Sequence, residues 1–342
     1  MTAFEPAKLA RVLAELDASE GPAQALAQLV RQGLDQLPLP AHGATCQRWQ
    51  ALSVVAEHDL SLVKLYEGHV DALAVQAEVA PWADRVGGAT WGMWAAEAPG
   101  ERTRLEPMDA DVVRQHGRKA WCSGAAHVSH GLLTAWSAEG RGPQLVRVAM
   151  QQPGVTVSSA AWHAVGMAGS ESLDVHFDNA VAHLVGDEGA YLQRPGFWQG
   201  GAGIAACWYG GALQLAHALR RHVADTAPAQ RQPFRCAALG QVDMSLQSTA
   251  ALLREAAQWI DDHPTQDASA VALRVRLAAE CSATLVLDEA GRALGATPFC
   301  RDKRFARMAA DLPVFLRQSH AQRDFAALGE RVAAAGEAPW AL

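Results

Sequence analysis

Residues 112–150 read VVRQHGRKAWCSGAAHVSHGLLTAWSAEGRGPQLVRVAM, and their texture decides the fold. From Val112 to Cys122 apolar and polar residues alternate on both sides of His116-Gly117, the pattern of two strands about a turn. GLLTAWSAEGRGPQLVRVAM predicts a second hairpin, with AEGRG as its loop. Further on, SLDVHFDNAVAHLV sets Leu173, Val175 and Phe177 on one face of a strand. Upstream, Gly87, Gly88, Gly92, Pro99, Gly100 and Pro107 punctuate short apolar runs. Short strands at regular spacing build an antiparallel barrel or sandwich, not βαβ units.

Working outward, the texture turns helical on both sides. Residues 1–85 carry apolar positions every three or four residues, as in Leu9, Val12, Leu13 and Leu16. Pro38 and Pro40 interrupt the pattern, and Pro81 closes it. After Pro195 four long helical runs follow, separated by Pro228, Pro233, Pro264 and the Gly295–Pro298 break. Four long helices with short connections predict a four-helix bundle. Pro313 falls inside the last run, where it should kink the helix or begin a new one. The expected fold is therefore α+β and multidomain. It comprises an N-terminal helical domain (1–85), a central antiparallel β-barrel or sandwich (86–195) and a C-terminal bundle (196–342). The order α, β, α excludes a single doubly wound sheet.

Composition narrows the function. The chain has 342 residues, half of them hydrophobic, and a net charge of −7 with no basic run, which speaks against nucleic acid. Its six cysteines lie far apart without a CxxC pair, as in a cytoplasmic protein with reduced thiols. The N-terminus lacks a signal peptide's apolar core. Residues 195–219 carry no charged side chain, but are rich in Gly and Ala, which reads as a buried bundle helix and not a membrane span. GAGIAA (201–206) has the outline of a dinucleotide fingerprint without the strand that motif requires, so close helix packing explains it better. His127 and His130, and His217 and His222, lack a metal-binding pattern. No GxSxG elbow or P-loop is present.

Several strings, in this order, resemble the acyl-CoA dehydrogenase superfamily. GRKAWCSGAAHVSHGLLTA (117–135) is similar to the family's GxKxWITNA strand and loop. WHAVGMAGSESLDVHFDNAV (162–181) resembles its W-x-x-xGM-x-x-(S/T)-x-S-x-x-V-x-FD-x-V stretch. AEHDLSLVKLYEGH, RQPFRCAALGQVD (231–243) and RALGATPFCRDKRFARMAADL are similar to its flanking helical segments. The resemblance covers nearly the whole chain, with a shortened N-terminal domain. It implies FAD held noncovalently between β-domain and bundle, in a homodimer or homotetramer whose neighbouring subunit contributes. Trp121, Cys122 and Ser123 would meet the flavin, with Trp121 packed on the ring and Ser123 replacing a threonine that hydrogen-bonds it near the reactive nitrogen. Arg231 would hold the pyrophosphate beside Phe234, and Gly295 would let backbone approach the cofactor.

The departures bear on chemistry. Oxidation of an acyl thioester needs a carboxylate to remove the α-proton. The family's two positions for it hold Ser319 and Ile204 here, and neither is acidic. The TEPxAGSD loop is reduced to Glu97, Pro99 and Gly100 within WAAEAPGER. His320, beside Ser319, resembles the histidine of the superfamily's flavin-dependent monooxygenases and can act as base or donor. Three readings stay open. The first is an FAD-dependent oxidoreductase of an acyl thioester such as an acyl-CoA, or of a related small molecule. The second is a monooxygenase-like enzyme using His320. The third is a catalytically degenerate member with a structural role. The electron acceptor is not legible.

Overall fold

The computed structural model describes residues 6–16, 21–81, 86–98, 102–336 and 340. Pro99 and Gly100 of the reduced loop lie outside the described residues. The chain groups into two compact units, residues 1–37 with 61–197, and residues 38–60 with 198–342.

In the first unit, helices α1 (Pro6–Glu15), α2 (Pro22–Arg31) and α4 (Leu60–Val79) accompany the strands. The strands are β1 (Trp91–Trp94), β2 (Arg104–Pro107), β3 (Val112–Ser123), β4 (His130–Ser137), β5 (Gln144–Ala149), β6 (Val155–Ser158) and β7 (Ser172–Val185). Their pairing runs β4–β2–β3–β7–β5 and returns to β4, so the sheet closes on itself, while β1 adds to β4 and β6 to β7. Closure leaves these strands without free edges. The hairpin expected from residues 131–150 is β4–β5, paired antiparallel from His130↔Ala149 to Ala135↔Gln144. Leu173, Val175 and Phe177 are buried together on β7.

Two expectations are corrected here. The sheet is mixed, because β1 and β2 each run parallel to β4 and cover successive parts of one edge. Residues 112–123 form one continuous strand, not two about a turn. Gly117 sits at φ 106°, where an added Cβ would lie 3.2 Å from the Arg102 carbonyl oxygen. The glycine thus serves an irregularity and a close approach.

β3 and β7 contain a pair of compensating bulges. Between Gln115↔Ala180 and Gly117↔Phe177 the extra residue is on β7, where Asn179 has φ 58°. Between Lys119↔Val175 and Cys122↔Leu173 it is on β3, where Trp121 has φ 59°. The second bulge restores the register lost at the first. It also changes which side chains face inward. Val113, Gln115 and Lys119 are buried, and unbroken alternation would bury Trp121 as well; instead Cys122 is buried and Trp121 is 54% exposed.

Helix α3 (Thr45–His58) belongs to the second unit, with α7 (Ile204–Asp225), α8 (Pro233–Asp262), α9 (Ser269–Leu294), α11 (Lys303–Leu316) and α12 (Gln322–Ala334). Short helix α5 (Ala190–Gln193) precedes the charge-free stretch, which becomes short helix α6 (Gly196–Gly201) and the first part of α7. α7 is central and packs against α3, α9 and α11. Any Cβ at Gly210 would collide with the Ser53 carbonyl on α3, so the small residues serve close packing. Among the described residues no helix is long and apolar enough to cross a membrane.

The last helical run is broken. Helix α10 (Ala296–Arg301) precedes α11, which Asp302 caps by accepting from the backbone N–H groups of Arg304 and Phe305. α11 continues through Pro313 and ends at Leu316. Ser319 and His320 therefore lie in the α11–α12 turn, not within a helix.

Candidate functional site

The first cluster forms where β3 ends beside the start of β7. The indole Nε1 of Trp94 donates to the Ser123 carbonyl oxygen at 3.1 Å. Trp94 occupies space left by Gly92 and Gly131, where a Cβ would strike its ring. This fixes the end of β3 and with it the Ser123 side chain.

Ser123 Oγ lies 2.7 Å from Ser172 Oγ, which lies 3.1 Å from Ser170 Oγ. Ser170 donates to the Met167 carbonyl oxygen at 2.8 Å. Each hydroxyl has one proton. The carbonyl takes that of Ser170, so Ser172 must donate to Ser170 and Ser123 must donate to Ser172. All three protons are committed, and Ser123 offers only acceptor lone pairs to a further partner.

Backbone strain gathers around this chain. Trp121 at φ 59°, Met167 at φ 59° and Glu171 at φ 39° occupy the left-handed region that non-glycine residues avoid. Such conformations cost on the order of 1–3 kcal/mol each and collect at functional sites. Glu171 is tied to His127, Oε2 to Nε2, at 3.0 Å. Cys122, predicted alongside Trp121 and Ser123, faces the β core, where burial pushes its thiol pKa up. It can meet a ligand only through its backbone.

Below this end Lys119 is buried, donating to the carbonyl and the hydroxyl of Thr134 at 3.0 and 2.8 Å. Burial lowers its pKa to about 8, against opposing pulls from Glu97 and Cys122. Ser170 and Ser172 were not singled out in the sequence, although the S-x-S spacing of GSESLD was its visible signal.

The second unit holds the remaining candidates in two places. Arg231 Nε donates to the carbonyls of Val223 and Thr226 at 3.1 and 3.0 Å, capping the end of α7. Phe234 is exposed beside the Arg235 guanidinium, and Arg235 Nε donates to the Ala293 carbonyl at 3.0 Å. That bond ties the start of α8 to the end of α9, which Gly295 joins to α10 at φ 68°, ψ −163°. This conformation is essentially restricted to glycine, and nothing lies within 4 Å of where its Cβ would be.

The other place is the α11–α12 turn. Ser319 Oγ accepts from the Ala321 N–H at 3.0 Å. The His320 imidazole is exposed, with Nδ1 3.5 Å from Asp324 Oδ1. Arg276 of α9 supports the turn by donating to the Gln318 carbonyl, and its Nη2 lies 4.0 Å from Asp324. Arg276 and Ala293 stand seventeen residues apart on α9. At about 1.5 Å per residue that is about 25 Å, so the chain does not bring His320 together with Arg231, Phe234 and Gly295. Ile204, at the other expected base position, is buried at the start of α7. Among the described residues no cluster of His, Cys, Asp or Glu suits a metal ion.

No protein-family model matches the chain, and no curated protein sequence does either. Solved structures do. KijD3, in complex with FMN and dTDP-3-amino-2,3,6-trideoxy-4-keto-3-methyl-D-glucose, is 18% identical with a TM-score of 0.79, covering 96% of this chain and 90% of its own. Dibenzothiophene monooxygenase TdsC from Paenibacillus sp. A11-2 is 17% identical with a TM-score of 0.72, covering 94% and 96%. Nitrososynthase from Micromonospora carbonacea var. africana is 17% identical with a TM-score of 0.78, covering 96% and 93%. These likenesses show the fold alone.

Proposed function

We propose that the chain is a flavin-dependent oxidoreductase that takes reduced FMN and dioxygen and oxygenates a small organic molecule. The hydroxyl chain ending at Ser123 carries this reading. Its proton is committed to Ser172, so Ser123 is an acceptor; a reduced flavin offers a ring N–H where the oxidised ring offers a lone pair. Trp121, turned outward by its bulge, adds an exposed indole suited to a planar ring. The residues at the end of β3 therefore fit a flavin. When bound, reduced flavin supplies two electrons to dioxygen, so that one oxygen atom enters the substrate and the other leaves as water.

FMN is favoured over FAD on two counts. KijD3 and TdsC have both been solved with FMN. Arg231, the residue expected on the longer cofactor's pyrophosphate, uses its Nε to cap α7. An acyl thioester is the weaker substrate reading. Ser319 and Ile204 supply no carboxylate, and the Ser319 hydroxyl already accepts a backbone N–H. His320, held toward Asp324, is the candidate proton-handling residue of the second unit.

The test supplies the full chain with FMN, NADH, a flavin reductase and isotopically heavy dioxygen over a panel of aromatic and amino-sugar substrates. One heavy oxygen atom per product is expected, and Ser123→Val should abolish it. Anaerobic bleaching of bound flavin by an acyl-CoA, with no oxygen incorporated into any substrate, would restore the dehydrogenase reading.

A further inference from the structure

We infer that a groove on the outer face of β2, β3 and β4 binds the phosphate group of a small molecule. The groove lies wholly within the first unit, has a volume of about 720 Å³, and is lined by Arg102, Arg104, Arg118 and Trp136, with Ser137, Ala138 and Gly140 of the following turn. Arg104 stands directly opposite His116 on β3 and Trp136 on β4. Residues so paired project from the same face of a sheet.

Two of the three guanidinium groups are held in place. Arg102 stacks over the Trp136 ring with Cζ 3.9 Å from the centroid. The indole is anchored in turn, since Trp136 Nε1 donates to Glu97 Oε1 at 2.7 Å while Glu97 Oε2 lies 3.7 Å from Arg102. Arg118 pairs with Asp174 at 3.2 Å. Arg104 is exposed and has no ion pair among the described residues. The adjoining turn is fixed by Glu188, whose Oε1 accepts the backbone N–H groups of Arg141 and Gly142 at 2.6 and 2.9 Å.

Three guanidinium groups thus line the groove and no carboxylate does, in a chain of net charge −7. Gathering like charges is unfavourable unless an anion joins them. Arginine forks match phosphate oxygens bidentately, and a stacked, pre-oriented fork loses little freedom on binding. The basic groups of the groove are all arginine, with no lysine. The phosphate can come from a phosphorylated substrate or from the phosphate arm of a flavin mononucleotide.

Isothermal titration of the full chain with inorganic pyrophosphate, at ionic strength held constant with chloride, tests the site. One pyrophosphate per chain is expected. Arg104→Gln and Arg118→Gln should each weaken it at least tenfold, and Arg104→Lys should recover only part. A repeat titration in the presence of FMN identifies the source. Displacement by FMN but not by riboflavin assigns the groove to the flavin phosphate; undisturbed pyrophosphate binding assigns it to a phosphorylated substrate. Pyrophosphate heats no larger than those of the chloride control would overturn the inference. So would unchanged affinity in both glutamine variants with wild-type melting curves.

Discussion

Ser123 Oγ and Ser172 Oγ lie 2.7 Å apart, and the direction of that hydrogen bond is set two residues away, where Ser170 donates to the Met167 carbonyl. A carbonyl cannot donate, so the constraint passes along the chain and leaves Ser123 as an acceptor. Ser172→Ala removes the middle hydroxyl and frees the Ser123 proton. The variant should bind oxidised FMN better, by roughly 3–10-fold, with reduced FMN little changed, since Ser123 keeps its acceptor lone pairs and one neutral hydrogen bond contributes about 0.5–1.5 kcal/mol. Anaerobic fluorescence titrations with both redox forms give the comparison.

Trp121 presents an opposition between stability and binding. Glycine adopts its φ of 59° without penalty, so Trp121→Gly should keep or raise the melting temperature, by up to about 1 kcal/mol of added stability. The same change removes the exposed indole and should weaken FMN binding at least tenfold. A thermal melt and a flavin titration on one preparation measure both.

Gly131→Ala drives a Cβ into the Trp94 ring. Overpacking of this kind costs about 1–3 kcal/mol, and here it also loosens the Trp94–Ser123 bond at the end of β3. Denaturant unfolding should show the loss, with weakened flavin binding in the fraction that stays folded.

Lys119 predicts a pH dependence. Its folded pKa, about 8, lies below its ordinary value of 10.5, so between these limits the unfolded chain holds more protons. Stability from this residue therefore rises as pH climbs from 8 toward 10.5, by on the order of 3 kcal/mol across the window. Denaturant unfolding at pH 8, 9 and 10 should show the wild type gaining on Lys119→Met at each step. Parallel curves would contradict the assignment.

His320 is exposed in a turn, so His320→Ala should change stability by less than about 0.5 kcal/mol. If it handles protons, product formation should fall at least tenfold while flavin stays bound. Comparing product with bound flavin separates the two effects.

The sequence revealed the elements better than their partners. Period-two alternation marked the β4–β5 hairpin and the buried face of β7, because both depend on neighbours within one strand pair. It did not reveal that Trp121 points outward. That follows from a bulge compensating another at Asn179, more than fifty residues away. Likewise, apolar periodicity showed that α3 has a face to bury, but not that it groups with helices after residue 197. Ser123 was legible from its motif. Its polarity was not, since Ser170 and Ser172 matter only once β7 is laid against β3. The break at Ser319–His320 comes from Asp324, which accepts the His320 N–H at 3.2 Å, a contact invisible to helical spacing.

The most direct test is the midpoint potential of FMN bound to the full chain against that of free FMN at the same pH. An acceptor-only Ser123 favours the reduced ring, so the bound potential should be the higher, and Ser172→Ala should bring it back toward the free value. A bound potential below that of free FMN, unmoved by Ser172→Ala, would contradict the account.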